Sequence, residues 1–175
     1  ALRGNLESMD INKKNENGYD LTAVLFTPDK ESPGTVESLV DFSEKVDATW
    51  QHSPDGKKHE VTLTNVPAGM EGERTLRLSV SSNKLGVEKA DVVTVNIPDQ
   101  NDFSVYDVVY VSEPECYVEV AFSKLLDSAQ DMRGLAFIAG NTSETVNVDG
   151  NKLRLYPDAD LREKGAMNIH LNQGI

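Results

Sequence analysis

The sequence predicts an all-β chain built of two β-sandwich domains in tandem. Three observations carry that expectation. Apolar and polar residues alternate with a period of two in one short run after another, which marks strands with one buried face. Two Asp-Gly turns, Asp55-Gly56 and Asp149-Gly150, stand between such runs and read as hairpins. The order of these signals occurs twice along the chain.

The elements follow in order. "VDFSEKVD" (Val40–Asp47) reads as a strand carrying a Phe-Ser pair, with Ser and Asp managing the bend at its end. "SPDGKKHEVTLTNVP" is a hairpin leading into a strand in which Val61 and Leu63 alternate with Thr62 and Thr64, closed by Pro67. After a glycine-containing loop, "TLRLSV" sets Leu76, Leu78 and Val80 against Thr75, Arg77 and Ser79, and "DVVTVNIP" (Asp91–Pro98) adds a last strand. The second series opens with "YVEVAF", in which Val118, Val120 and Phe122 alternate with Tyr117, Glu119 and Ala121, and its "VAFSKLLD" (Val120–Asp127) mirrors the first octet. "VNVDGNKLRLYP" then supplies Leu153 and Leu155, and "MNIHL" supplies Met167, Ile169 and Leu171. On this alignment Phe42 and Phe122 occupy equivalent buried positions, and the second copy carries about ten extra residues around "MRGLAFIAGNTSET". "SKLLDSAQDMRG" holds at most one short turn of helix. The polar stretch Pro98–Asp102 is the linker, so the domains are expected at 1–100 and 101–175. The second series stops at Gly174-Ile175 before any counterpart of Asp91–Pro98, so that sandwich is expected to lack its last strand.

Composition narrows the function. The 175 residues include 17 Lys and Arg against 29 Asp and Glu, for a net charge of −12. That balance argues against a nucleic-acid footprint and against an anionic membrane surface. The single cysteine, Cys116, rules out an internal disulfide and a cysteine zinc cluster. No apolar run approaches the roughly 20 residues of a membrane helix, and Ala1-Leu2-Arg3-Gly4 is no secretory signal.

Chemistry is sparse. His52 and His59 flank the first Asp-Gly turn and could approach each other across it, and a metal site there would want a third ligand such as Asp55. Their spacing fits no metal motif, so both read as solvated loop residues. His170 alternates with Met167, Ile169 and Leu171 and is expected to face solvent. The carboxylate pairs Glu71/Glu73, Glu113/Glu115 and Asp158/Asp160 lie in turn-like segments and read as solvated, although a glycosidase would need two carboxylates across a cleft. Ser43 and Ser123 are turn residues rather than nucleophiles. Cys116 has Glu113, Glu115 and Glu119 around it, which disfavours a thiolate. Asn141-Thr142-Ser143 fits a glycosylation acceptor. No phosphate loop or nucleophile elbow is present. The expectation is therefore a protein that is not an enzyme, with no catalytic, cofactor-binding or metal residues and no cofactor.

One long stretch, Asn83 to Leu135, carries a resemblance. "LGV-x-K" leads to a strand ending in "IP"; "DF-x-V-x-x-V", "EP-E-x-Y-V-E-V-x-FS-x-x-L" and "QD-x-RGL" follow, with "DGNKLRLYP" and "LNQGI" further on. This order resembles the N-terminal region of bacterial alpha-2-macroglobulin-like proteins of the Bacteroides type. The resemblance implies macroglobulin domains, which are immunoglobulin/fibronectin-like β-sandwiches, serving as scaffold in a protease trap. It implies a periplasmic or cell-surface protein, exported and lipid-anchored, whose signal is absent from this sequence. Its implied partners are further macroglobulin domains of a longer chain and the target proteases. The family's Cys-x-Glu-Gln thioester motif is not matched by Cys116-Tyr117-Val118-Glu119. The competing reading is a cell-surface adhesion or glycan-binding module of fibronectin-like domains. It would want an exposed aromatic platform, whereas Trp50, the only tryptophan, is expected in the core beside the first Phe-Ser strand.

Overall fold

The computed structural model describes residues 3–81, 92–143 and 145–175. The "LGV-x-K" stretch, the start of "DVVTVNIP" at Asp91, Ala1-Leu2 and Glu144 lie outside the described residues. The chain divides into two compact units, Ala1–Asn101 and Asp102–Ile175, and both are built of antiparallel strands.

The first unit contains β1 (Arg3–Asn12), β2 (Asn15–Phe26), α1 (Pro33–Leu39), β3 (Val40–Phe42), β4 (Asp47–His52), β5 (Lys58–Pro67), β6 (Arg74–Val80) and β7 (Val92–Ile97). They form a four-stranded sheet in the order β1-β2-β5-β4 and a three-stranded sheet in the order β3-β6-β7. The period-two pattern explains the layering. Tyr19, Leu21, Ala23 and Leu25 of β2, Val61 and Leu63 of β5, Leu76, Leu78 and Val80 of β6, and Val93, Val95 and Ile97 of β7 are all buried. The short helix starts where its sequence says a helix should. Ser32 is the N-cap, its Oγ accepting from the Thr35 amide at 3.3 Å, and Pro33 follows at the first helical position. Only Val36 and Leu39 of α1 are buried, and Val40 turns directly into β3. Tyr19 is 1% exposed, and burial pushes its phenol up to about 12. The folded state thus holds the neutral phenol more tightly than an unfolded chain does. The stability this contributes is complete below pH 10 and is lost as pH rises from there through about 12. An alkaline titration should show one tyrosine ionising together with loss of β-sheet circular dichroism.

The second unit contains β8 (Val105–Val111), β9 (Tyr117–Phe122), β10 (Ala136–Ile138), β11 (Val146–Asp149), β12 (Lys152–Leu155), α2 (Ala159–Glu163) and β13 (Ile169–Leu171). The sheets run β11-β12-β9-β8 and β10-β13. Their core is Val118, Val120, Phe122, Met132, Ala136, Ile138, Leu153, Leu155 and Leu161. Both Asp-Gly turns form the expected hairpins, with Gly56 and Gly150 at φ 68° and 62°, a region closed to most side chains. Read in chain order, the second unit repeats the strand order of the first. β8, β9, β12 and β11 stand where β1, β2, β5 and β4 stand, and β10-β13 stand where β3-β6 stand. Among the described residues of the second unit, no strand takes the place of β7.

That correspondence corrects the alignment of the two Phe-Ser octets. Phe42 ends β3, which pairs with β6, whereas Phe122 ends β9, inside the four-stranded sheet. Phe122 is 2% exposed and Phe42 only half-buried. The eight-letter match is coincidental. The true counterpart of "VDF" is "AFI" in β10: Phe42 ends β3 thirteen residues before Asp55, and Ile138 ends β10 eleven before Asp149. The apparent ten-residue insertion disappears with this pairing. "SKLLDSAQDMRG" forms turns held by Asp127 and Asp131 rather than a helix.

Candidate functional site

The most chemically loaded place in the described residues is the pair His52 and His59, and its location corrects the solvated-loop expectation. The Asp55-Gly56 turn sits midway between the two, so the hairpin register sets them directly opposite each other on β4 and β5. His59 also shares parity with Val61 and Leu63, which turns it inward, and its exposure is 0%. His52 Nδ1 and His59 Nδ1 lie 2.8 Å apart. On its far side, His52 Nε2 meets Glu37 Oε1 of α1 at 3.0 Å. On its far side, His59 Nε2 meets Thr27 Oγ1, just beyond β2, at 3.4 Å. Trp50, two residues before His52 on the same strand, stacks on the His52 ring at 5.8 Å and 4°. Trp50 is half-buried on the edge strand of its sheet, so it is neither the core residue expected nor a free platform.

Two neutral rings satisfy this chain of contacts: His52 Nε2 donates to Glu37 Oε1, His59 Nδ1 donates to His52 Nδ1, and the Thr27 hydroxyl reaches His59 Nε2. Thr27 Oγ1 also lies 2.8 Å from the Asp29 carbonyl. Glu37 accepts from His52 Nε2. One proton lies between the two Nδ1 atoms. Burial first, then the proximity of His52, pushes the His59 ring below its ordinary value; the Gly56 carbonyl, Asp55 and Glu31 pull partly in the other direction.

A metal does not suit this arrangement. Asp55, the expected third ligand, is occupied in its own turn: it accepts from Ser53 Oγ at 2.5 Å and from the Lys57 amide at 3.0 Å, and these bonds lower its carboxyl. Among the described residues, no three His, Cys, Asp or Glu side chains are grouped to hold a metal ion.

The remaining candidates are occupied in building the fold. Ser43 Oγ accepts from the Arg77 amide at 2.9 Å and extends the β3–β6 ladder. Ser123 Oγ accepts from the Ser104 amide at 2.9 Å and donates to the Asp102 carbonyl at 2.8 Å, so it ties down the segment leading into β8. Asp158 Oδ2 takes both the amide and the hydroxyl of Thr142, at 2.6 and 2.7 Å, and these bonds lower its carboxyl. Glu119 bonds Arg154 at 2.9 Å across β9 and β12, with Lys152 3.4 Å away. Cys116 Sγ lies 3.0 Å from Tyr110 Oη, a bond that raises the Tyr110 phenol. His170 is exposed, as expected, with its ring stacked on Phe137 at 5.0 Å.

Asn141 needs separate mention, because its sequon suggests modification. Its amide donates to the Ser143 carbonyl at 2.6 Å and to the Tyr156 carbonyl at 3.0 Å, and its oxygen accepts from the Asp158 amide at 2.7 Å. Nδ2, the atom a glycan would take, is fully engaged. Asn141→Ala should destabilise the second unit by about 1–2 kcal/mol, because three partners lose a bond together. Denaturant titration would measure this, and an unchanged midpoint would show Asn141 to be free for other use.

No family model, no curated protein and no solved structure matches the chain.

Proposed function

We propose that the two units are non-catalytic scaffold domains of macroglobulin type, from the N-terminal part of a bacterial alpha-2-macroglobulin-like endopeptidase trap of the cell envelope. The observation that carries this reading is the recurring strand order. Four strands ordered β1-β2-β5-β4 over three ordered β3-β6-β7 is the arrangement of constant-type immunoglobulin sandwiches. The order recurs in the second unit without the seventh strand. A chain of repeated immunoglobulin-like sandwiches is the architecture the family resemblance implies.

The segments carrying that resemblance also fall on coherent elements. "DF-x-V-x-x-V" runs into β8, and "EP-E-x-Y-V-E-V-x-FS" is the turn plus β9. In this reading the polar side chains with chemical potential serve packing, and trapping chemistry belongs to other parts of a longer chain. The partners are neighbouring macroglobulin domains and the proteases the whole protein captures, at a periplasmic or cell-surface location. Among the described residues, no helix is long and apolar enough to cross a membrane. The adhesion or glycan-binding alternative gains nothing from Trp50, whose ring is half-buried and stacked on His52.

Incubation with trypsin followed by denaturing electrophoresis tests the non-catalytic role. The expected result is neither peptidase activity nor a covalent adduct. A high-mass adduct that disappears in Cys116→Ser would overturn it.

A further inference from the structure

We propose that β8 is a homotypic docking edge, along which the second units of two copies of this chain pair as antiparallel strands about a two-fold axis. β8 ends its four-stranded sheet, and among the described residues no strand pairs with its other side. Such an edge offers backbone donors and acceptors to another chain unless charge, proline or a cover blunts it. β8 is poorly blunted. Its seven residues, Val-Tyr-Asp-Val-Val-Tyr-Val, include one charge, Asp107. Val108 is 54% exposed, Val109 43% and Tyr110 49%. Val108 and Tyr110 stand opposite Val120 and Val118 of β9, so they point to the core side of the sheet and are still uncovered. β1, the counterpart in the first unit, is protected on both counts. It carries Arg3, Glu7 and Asp10, and its Met9 is buried. β7 lies against its inner face, where a Cβ added at Gly4 would meet Val93 Cγ2 at 3.0 Å.

The occupant is a second copy because the strand matches itself when reversed. "VYDVVYV" differs from its own reverse only where Asp107 exchanges with Val109. A two-fold axis perpendicular to the sheet sets one residue opposite its own copy. Centred on Val109, the pairing puts Val108 opposite Tyr110 of the second copy, a β-branched and aromatic pair made twice on the inner face. Asp107 then faces Val111 of the second copy, and no like charges stand opposed. A centre at Asp107 would oppose two carboxylates, and one at Tyr110 would oppose Asp107 to Glu113. A centre at Val108 would have to pair through Tyr106, where the ladder with β9 is irregular. Asp107–Val111 gives five paired residues per copy, far fewer than the roughly 20–30 of a standard interface, and each copy carries a net charge of −12. The dimer is therefore weak, with a dissociation constant on the order of 100 μM.

Sedimentation equilibrium of the 175-residue chain from about 20 μM to about 1 mM should show a monomer passing into a dimer. Over the same range the β8 amides that face the edge should exchange about fivefold more slowly, while β12 amides hold. Val109→Lys sets two ammonium groups side by side at the axis and should raise the dissociation constant at least about tenfold, with β9 and β12 amides exchanging as in the parent chain. A cross-link reads the register without that variant. In a Cys116→Ser background, whose hydroxyl keeps a partner for Tyr110 Oη, Val109→Cys should give a disulfide-linked dimer under air oxidation. Asp107→Cys in that background should not, because the two copies of residue 107 lie four strand residues apart, about 13 Å. A monomer up to about 1 mM, a dimer unweakened by Val109→Lys, a dimer in which Val109→Cys does not link, or linking of Asp107→Cys as fast as Val109→Cys would each overturn the proposal.

Discussion

Phe122→Ala should destabilise the second unit by about 3–5 kcal/mol, the range for removing a fully enclosed aromatic ring. The ring is 2% exposed at the end of β9, stacks on Phe103 at 5.0 Å and belongs to the core with Leu153 and Val120. The same substitution at Phe42 should cost clearly less, because that ring is half-buried on a three-residue strand. Urea denaturation read by residue-resolved hydrogen exchange would separate the two effects. Equal costs at the two sites would restore the equivalence that the matching octets imply and contradict the strand correspondence.

Gly69→Ala should destabilise the first unit by about 1–3 kcal/mol, through crowding rather than lost contact. Gly69 forms a parallel bridge with Asp99, its amide donating to the Pro98 carbonyl at 2.9 Å and its carbonyl accepting from the Gln100 amide at 2.8 Å. A Cβ there would overlap the Gly72 carbonyl oxygen and lie 3.4 Å from the Asp99 Cα. Both neighbours are backbone, so neither can swing away. Asp99 in turn accepts from the amides of Gly72 and Asn101 and is 7% exposed, so a shift at Gly69 disturbs those bonds as well. Thermal denaturation of Gly69→Ala beside the control Gly34→Ala, at an exposed position in the first turn of α1 where an added Cβ meets nothing within 4 Å, would show the difference. Equal midpoints would mean that the loop yields and the bridge is not a fixed point of the fold.

The readable parts of this chain were those governed by local rules. Alternation in "HEVTLTNV", "TLRLSV", "YVEVAF" and "KLRL" fixed strands because each shows one face to a core, and the two Asp-Gly pairs fixed hairpins because glycine alone tolerates the turn's backbone. The octet match misled because Val-x-Phe-Ser is a common way to end a strand, and eight letters carry no information on which strand is ended. The mismatch between the 80-residue spacing of the phenylalanines and the 90-residue spacing of Pro67 and Pro157 was the legible warning. α1 was also legible in Ser32-Pro33, a cap followed by a first-turn proline, but its brevity hid it behind the strand that follows.

The histidine pair was half legible. A turn centred between His52 and His59 sets them opposite each other, and the parity of His59 with Val61 and Leu63 turns it inward. What no local pattern could supply was Glu37 and Thr27, which arrive through tertiary packing from 15 and 32 residues away.

The central claim, that these units are scaffold pieces of a longer trap, is tested most directly by the mass of the native protein that carries this sequence. The chain described here is 19.2 kDa. Antibodies raised against it, used on denaturing blots of envelope fractions from its source organism, should detect a single species several times that mass, and peptide mapping of that species should continue into further alternating, sandwich-like sequence. A native species of about 19 kDa, with no peptides beyond Ile175, would contradict the account.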